Sequence, residues 1–82
     1  MEVDVQVLRV HHYDEDESQD RRITIAPANV DSLVVKTEDT QVRGRSVREV
    51  TVLFSQGQTI AIAINHADLE LLESTVGAFF VG

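Results

Sequence analysis

The stretch that decides the fold is residues 47–65, "VREVTVLFSQGQTIAIAIN". Apolar residues recur at every second position on both sides of Gln56-Gly57, and a period of two predicts a pair of β-strands. Each strand gathers apolar residues on one face: Val50, Val52 and Phe54 on the first, and Ile60, Ile62 and Ile64 on the second. Gln56-Gly57 predicts a two-residue hairpin turn between them.

The chain upstream of this hairpin reads as three further strands. In residues 2–13 the apolar residues occupy odd positions up to Val7 and even positions from Leu8. This slip predicts a β-bulge near Val7–Leu8, or a second covered face. Residues 21–27 resume as a strand that Pro27 stops, and residues 30–37 form a third strand. Residues 38–46, "EDTQVRGRS", predict a polar connection in which Gly44 can adopt a positive φ.

A helix is expected after the hairpin, in "NHADLELLESTVG" (residues 65–77). Asn65 is a favourable N-cap, Asp68 occupies the position of a capping-box carboxylate, and Gly77 suits the residue that follows a helix. The helix has one apolar stripe, formed by Leu69, Leu72 and Val76, with Glu70 and Glu73 facing water.

The chain closes on an apolar tail, "AFFVG" (residues 78–82). Phe79, Phe80 and Val81 should pack into the fold, add a strand, or contact a neighbouring subunit, which makes them a candidate oligomer interface. We expect one small α+β domain over residues 1–82. Its about five antiparallel strands should form a twisted sheet or partly closed barrel, connected as a meander of hairpins, with one C-terminal helix and the tail.

Composition narrows the class of protein. The 82 residues include no cysteine, so disulfides and cysteine zinc sites are excluded. No apolar run approaches the roughly 20 residues of a membrane span, and "MEVDVQV" lacks the basic start of a signal peptide. We expect a soluble, cytoplasmic protein with no membrane partner. The formal net charge of −7 argues against direct binding to nucleic acid.

Most of this charge lies in one loop, within "HHYDEDESQDRR" (residues 11–22). Residues 14–20, called the acidic loop below, hold five carboxylates: Asp14, Glu15, Asp16, Glu17 and Asp20. They account for −5 of the charge and leave −2 for the rest of the chain. The favoured interpretation is a solvated hairpin tip. The alternative is that this clustered charge steers a basic partner surface onto the loop.

A metal site in this stretch is disfavoured. His11 and His12 are neighbours in an extended segment, so their side chains point to opposite faces. The spacing of a calcium loop is followed by Asp14, Asp16, Ser18 and Asp20. Gln19 and Ile25, however, replace the glycine and glutamate that such a loop requires. We expect neither a bound metal nor another cofactor.

A second candidate site is "VRGRSVR" (residues 42–48), whose arginines are Arg43, Arg45 and Arg48. Glycine between arginines lets backbone N–H groups and guanidinium groups converge on a phosphate or carboxylate. In an oligomer the cluster could bind an anionic small molecule such as a nucleotide at a subunit interface. The alternative is a polar loop whose arginines pair with Glu38, Asp39 and Glu49.

No pattern of catalytic residues appears. There is no cysteine nucleophile, nucleophile-elbow serine, P-loop or dinucleotide fingerprint. The sequence therefore favours a non-enzymatic protein-binding module, an inhibitor or accessory factor of bacterial or phage type and homo-oligomeric. It would present the acidic loop to a basic partner surface. The alternative hypothesis is the oligomeric anion binder.

Overall fold

The computed structural model describes residues 7–76 and the backbone of residues 79–81. Strands β1 and β2 form a hairpin, and the chain then runs through four strands, a helix and a last short strand. The bounds are β1 Leu8–His12, β2 Arg21–Ile25, β3 Val30–Val35, β4 Thr40–Val42, β5 Arg45–Phe54, β6 Thr59–Ile64, α1 His66–Val76 and β7 Phe79–Val81. The predicted α+β class is confirmed.

Strand β5 is the centre of the larger sheet. One of its edges pairs antiparallel with β6, from Arg48↔Ile64 to Leu53↔Thr59. It also pairs antiparallel with β3 and with β4. The small β1–β2 sheet is separate. The described strands thus form two sheets, and the expected meander is wrong. β3 pairs with β5 and not with its sequence neighbour β4, and β7 pairs parallel with β3.

The main core lies between one face of the larger sheet, the β1–β2 hairpin and α1. Its buried members are the apolar residues that the alternation placed on one face of the sheet, joined by residues of β1, β2 and the helix. They are Leu8, Val10, Ile25, Leu33, Val35, Val50, Val52, Ile62, Ile64, Leu69 and Leu72. A smaller cluster of Val42, Val47 and Ala63, with Tyr13 against it, lies apart from the main core.

The predicted two-residue turn at Gln56-Gly57 is wrong. The N–H of Phe54 donates to the carbonyl of Gln58 at 2.8 Å, and the N–H of Gly57 donates to the carbonyl of Phe54 at 2.9 Å. The loop therefore contains three residues, 55–57, and Gly57 takes a φ of +90°. This is the turn-plus-glycine-bulge connection, in which glycine occupies the left-handed position.

The predicted polar connection at residues 38–46 contains a hairpin instead. β4 pairs with the start of β5, with Val42 opposite Arg45. Only Arg43 and Gly44 lie between the strands, and both have positive φ values, 50° and 80°. Two left-handed residues match the twist of the flanking strands, so Arg43-Gly44 acts as Asn-Gly does in a tight hairpin.

Asn65 caps the N-terminus of α1 as predicted, whereas the carboxylate of Asp68 has another partner than the one a capping box gives it. Asn65 Oδ1 accepts the N–H of Asp68 at 2.7 Å. The Asp68 carboxylate reaches outside the helix and accepts the N–H of His11 at 3.0 Å, which ties β1 to the start of α1. Gly77, the predicted end of the helix, lies outside the described residues.

In β1 the buried apolar residues are those at even-numbered positions. Leu8 and Val10 are buried, whereas Val7 is 45% exposed. Most of the odd-numbered phase lies outside the described residues, so the bulge at Val7–Leu8 stays a prediction. A register shift does occur between Val30 and Ser32 of β3, a position that the alternation did not predict.

Neighbouring leucines of α1 should differ sharply in their contribution to stability. Leu72 is fully buried and Leu71 is 46% exposed. We expect Leu72→Ala to lower the free energy of unfolding by about 2–5 kcal/mol through lost burial and a residual cavity. Leu71→Ala should change it by less than about 0.5 kcal/mol. Urea denaturation measures both, and equal losses would contradict the packing of α1.

Candidate functional site

The acidic loop is held together by its own aspartates. The N–H of Asp16 donates to Asp14 Oδ1 at 3.0 Å. Asp16 Oδ1 accepts the N–H of Ser18 at 3.0 Å and its hydroxyl at 2.7 Å. These bonds to Ser18 lower the pKa of Asp16. A short 3-10 helix, Glu17–Gln19, follows from this cap. The sequence places charge in the loop, and the same side chains fix its backbone.

Asp20 ties the loop to two other elements. Its Oδ1 accepts the N–H of Asp14 at 2.8 Å, across the base of the loop. Its Oδ2 lies 3.2 Å from His11 Nε2 and 2.6 Å from Arg43 Nη2. The side chain is only 16% exposed. Asp20 with His11, Asp14 and Arg43 is called the Asp20 cluster below.

The Asp20 cluster favours the ionised carboxylate. The backbone hydrogen bond from Asp14, with further contributions from His11 and Arg43, lowers the pKa of Asp20 from 3.8 to about 2. Each of these donors binds the charged form more strongly than the neutral form. Asp20 thus has a structural role that the sequence prediction, which grouped it with the partner-binding acids, did not include.

The glutamates of the loop face solvent. Glu15 and Glu17 are both exposed, and the side chain of Glu17 is 88% exposed. Glu17 has one distant ionic neighbour, Arg43 Nη1 at 3.8 Å. The five predicted partner-binding acids therefore divide into two outward glutamates and three aspartates that also bond the loop.

An open cleft of about 390 Å³ lies beside the loop. It is lined by His11, Tyr13, Glu17, Asp20, Arg43 and Arg45. The rings of His11 and Tyr13 are 4.3 Å apart between centroids, and the guanidinium carbon of Arg45 lies 5.5 Å from the Tyr13 ring centroid. The latter distance is within the range of a cation–π contact.

The structure brings two of the three predicted anion-binding arginines to this cleft. The tight Arg43-Gly44 turn places Arg43 beside Asp20, with Arg45 following on β5. Arg48 is three residues further along the same strand, so its side chain leaves from the opposite face. It donates to Asp39 Oδ1 from Nη2 at 2.8 Å, and this bond lowers the pKa of Asp39.

The predicted loop pairing of the arginines is only partly present. Arg48 pairs with Asp39, whose other oxygen lies 2.9 Å from His66 Nε2. Arg43 pairs with the acidic loop, not with its sequence neighbours. Sequence reasoning missed His11 and Tyr13 as cleft residues, because their partners are 9 to 32 residues away and only the hairpins bring them together.

Geometry for a metal ion is missing from residues 7–76, where no group of three or more His, Asp or Glu side chains converges. His11 and His12 have different partners: His12 Nδ1 accepts the N–H of Ala63 at 3.0 Å, while His11 faces Asp20. Within the calcium-like spacing, one oxygen of each aspartate (Asp14, Asp16 and Asp20) accepts a backbone N–H group of the loop itself.

The tail residues Phe79, Phe80 and Val81 form β7 and pair with Leu33, Val34 and Val35 of β3. Of the three fates expected for the tail, the backbone shows the added strand. The described helix is too short and too polar to span a membrane.

Comparison with known proteins gives no relative: no family model, curated protein or solved structure matches the chain.

The Asp20 cluster predicts a specific dependence of stability on pH. Because the pKa of Asp20 is lowered to about 2, its ionised form stabilises the fold above its ordinary value of 3.8, and this stabilisation is lost as pH falls towards 2. Asp20→Asn should lower the melting temperature at pH 7 by several degrees and flatten its decline between pH 4 and pH 2. Asp31→Asn, at an exposed position of β3, is the control. Identical acid profiles for Asp20→Asn and wild type would contradict this role.

Proposed function

We propose that the protein is a non-enzymatic protein-binding module, an inhibitor or accessory factor, that presents the acidic loop to a basic surface of its partner. The observation that carries the proposal is the division of labour within the loop. Glu15 and Glu17 face solvent, while Asp14, Asp16 and Asp20 hold the backbone beneath them.

Preorganisation supports a binding role over simple solubility. A solvated loop needs charge alone, whereas a loop that binds gains from having its backbone fixed before the encounter. Hydrogen bonds within residues 14–20 and the Arg43 contact from another hairpin fix this loop. The entropy lost on binding is then confined mainly to the side chains of Glu15 and Glu17.

The charge distribution supports a basic partner. The loop carries −5 of the −7 formal charge, so the negative field of the protein is concentrated at the tip of the β1–β2 hairpin. Arg43 offsets only part of this charge, because it contacts Asp20 at 2.6 Å and Glu17 at 3.8 Å. Such a field speeds association with a positive surface and weakens as salt rises.

The outward glutamates should control the rate of association. We expect Glu15→Gln with Glu17→Gln to lower the association rate constant for the partner by about tenfold at low salt, with a smaller change in dissociation. The matched control, Glu70→Gln with Glu73→Gln, removes the same charge from α1. Because no loop aspartate is changed, both variants should keep the melting temperature of the wild type.

The partner is obtained by affinity capture from the cells that produce the protein, then purified and measured by surface plasmon resonance. The captured protein should carry a basic surface and bind more slowly at 0.2 M salt than at 0.05 M. The proposal fails if the loop variant binds at the rate of the control variant, or if the association rate is independent of salt.

A second candidate function is supported by the cleft. Arg45 lies in it above Tyr13 and forms no ion pair with a carboxylate among the described residues. A guanidinium group beside an aromatic ring suits an anionic ring compound such as a nucleotide. Glu17 and Asp20 line the same cleft and oppose an anion, so we place this function second.

Nucleotide binding at the cleft would appear as a thermal shift. If the cleft binds nucleotides, ATP or inorganic phosphate should raise the melting temperature of the wild type by mass action. Arg45→Gln should abolish the shift, while Arg48→Gln should retain it because Arg48 is paired with Asp39 on the other face of β5. No shift in the wild type, or equal loss in both variants, would remove the cleft from consideration.

A further inference from the structure

One edge of the larger sheet, along β6, has no strand paired to it among the described residues and holds no charged residue. In the antiparallel pairing of β5 with β6, the N–H of Phe54 donates to the carbonyl of Gln58. Backbone N–H and C=O groups alternate in direction along a strand. Those of Gln58, Ile60 and Ile62 therefore point towards β5, while those of Thr59 and Ala61 point away from it. The N–H and C=O groups of Thr59 and Ala61 have no partner among the residues that the structure describes.

The same alternation explains why the edge ends at Ala63. Its outward N–H donates to His12 Nδ1 at 3.0 Å, and its carbonyl accepts the N–H of Tyr13 at 2.9 Å. β1 therefore closes β6 at one end. Within residues 7–76, Thr59, Ile60 and Ala61 remain as a short edge with no strand paired to it, called the β6 edge below.

Charge is absent from this edge and from a long segment around it. Residues 50–65 contain no Asp, Glu, Lys or Arg, in a chain whose formal charge is −7. Free edges of monomeric sheets usually carry a charge, most often Lys, or a proline, which discourages pairing. The edge of β2 is of this kind, since Arg21 and Arg22 lie on it and are exposed.

We propose that the β6 edge is a homodimerisation surface, on which β6 of a second copy pairs antiparallel about a twofold axis at Ile60. In this register Thr59 lies opposite Ala61 of the second copy, and Ala61 opposite its Thr59. The two pairs exchange four hydrogen bonds and satisfy every outward backbone group of the edge.

An uncharged edge favours a second copy as the occupant. A twofold axis places each residue near its own equivalent, so any charge close to the axis would face the same charge. The side chains also leave room, because Ala61 lies in an open hollow of about 290 Å³ that it shares with Thr51 and Ala63. The charged residues that line this hollow, Lys36 and Glu49, have opposite signs and belong to other segments of the chain. Thr59 of the second copy would lie beside this hollow.

The register also keeps the acidic loops apart. Each loop follows Tyr13, which is bonded to Ala63, three residues from the axis. At about 3.4 Å per residue, the two Ala63 residues lie about 20 Å apart on opposite sides of the axis. This is more than twice the screening length of about 8 Å at physiological salt, so repulsion between the loops is small. The overlap is short, which indicates a weak dimer.

Sedimentation velocity tests the dimer on the full chain. From micromolar to millimolar concentration, the wild type should shift from a 9.1 kDa monomer to twice that mass. Ala61→Lys places like charges near the axis and should raise the dissociation constant by about tenfold or more. Ala28→Lys, the same change at another exposed alanine, should dimerise like the wild type. A wild type that stays monomeric, or an Ala61→Lys variant that dimerises normally, overturns the proposal.

Disulfide trapping tests the register, because the chain has no native cysteine. Ile60 would face its equivalent at a Cα separation of about 4.5 Å, within the range of about 4.4–6.8 Å that a disulfide spans. Ile60→Cys should form a covalent dimer on oxidation, and Thr59→Cys alone should not. If Ile60→Cys does not fold, mixing Thr59→Cys with Ala61→Cys should give the heterodimer. If the wild type dimerises but neither set of cysteine variants forms a crosslink, the interface lies elsewhere and the proposal is wrong.

Discussion

The hydrogen bonding of β5 along both edges is the constraint on which the rest of the structure depends. β3 and β4 pair with it, β6 pairs on the other edge, and β7 joins through β3. Val50 and Val52, both almost completely buried, form the surface of β5 against which α1 and the β1–β2 hairpin pack. The acidic loop and the cleft lie where β1, β2 and the start of β5 meet, so their geometry is set by this strand.

Asp20 transmits that geometry to the loop. Arg43 is placed by the tight turn before β5, and its bond to Asp20 joins the β4–β5 hairpin to the β1–β2 hairpin. Asp20 in turn holds Asp14 at the base of the loop. A carboxylate that looks like surplus charge in the sequence therefore connects two hairpins, and its lowered pKa reflects the donors that converge on it. The exposed glutamates carry the charge that the loop presents to solvent.

Much of the fold could be predicted from the sequence because its signals are local. Alternation identified β5 and β6, and Asn65 and Asp68 identified the start of α1. What failed depended on turn detail or distant contacts. Gln56-Gly57 looked like a two-residue turn, although Gly57 alone takes the left-handed position. Arg43-Gly44 was overlooked as a tight turn because arginine seldom has a positive φ. The separation of Arg48 from Arg45, in contrast, could have been predicted from the sequence. The two residues are three positions apart on one strand, so their side chains leave from opposite faces.

The acidic loop and the β6 edge are related by the way charge is distributed along the chain. A strongly acidic protein that self-associates must do so where its copies do not repel, and residues 50–65 provide an uncharged region for this purpose. His12 and Tyr13 bond to Ala63 at the end of the β6 edge, and the acidic loop begins at the next residue of the chain. These two residues therefore separate the neutral edge from the charged loop. A dimer through the β6 edge would leave both loops at its ends and present two acidic surfaces. A partner with two basic sites would then bind with an effective concentration set by their spacing, which strengthens binding without any new contact.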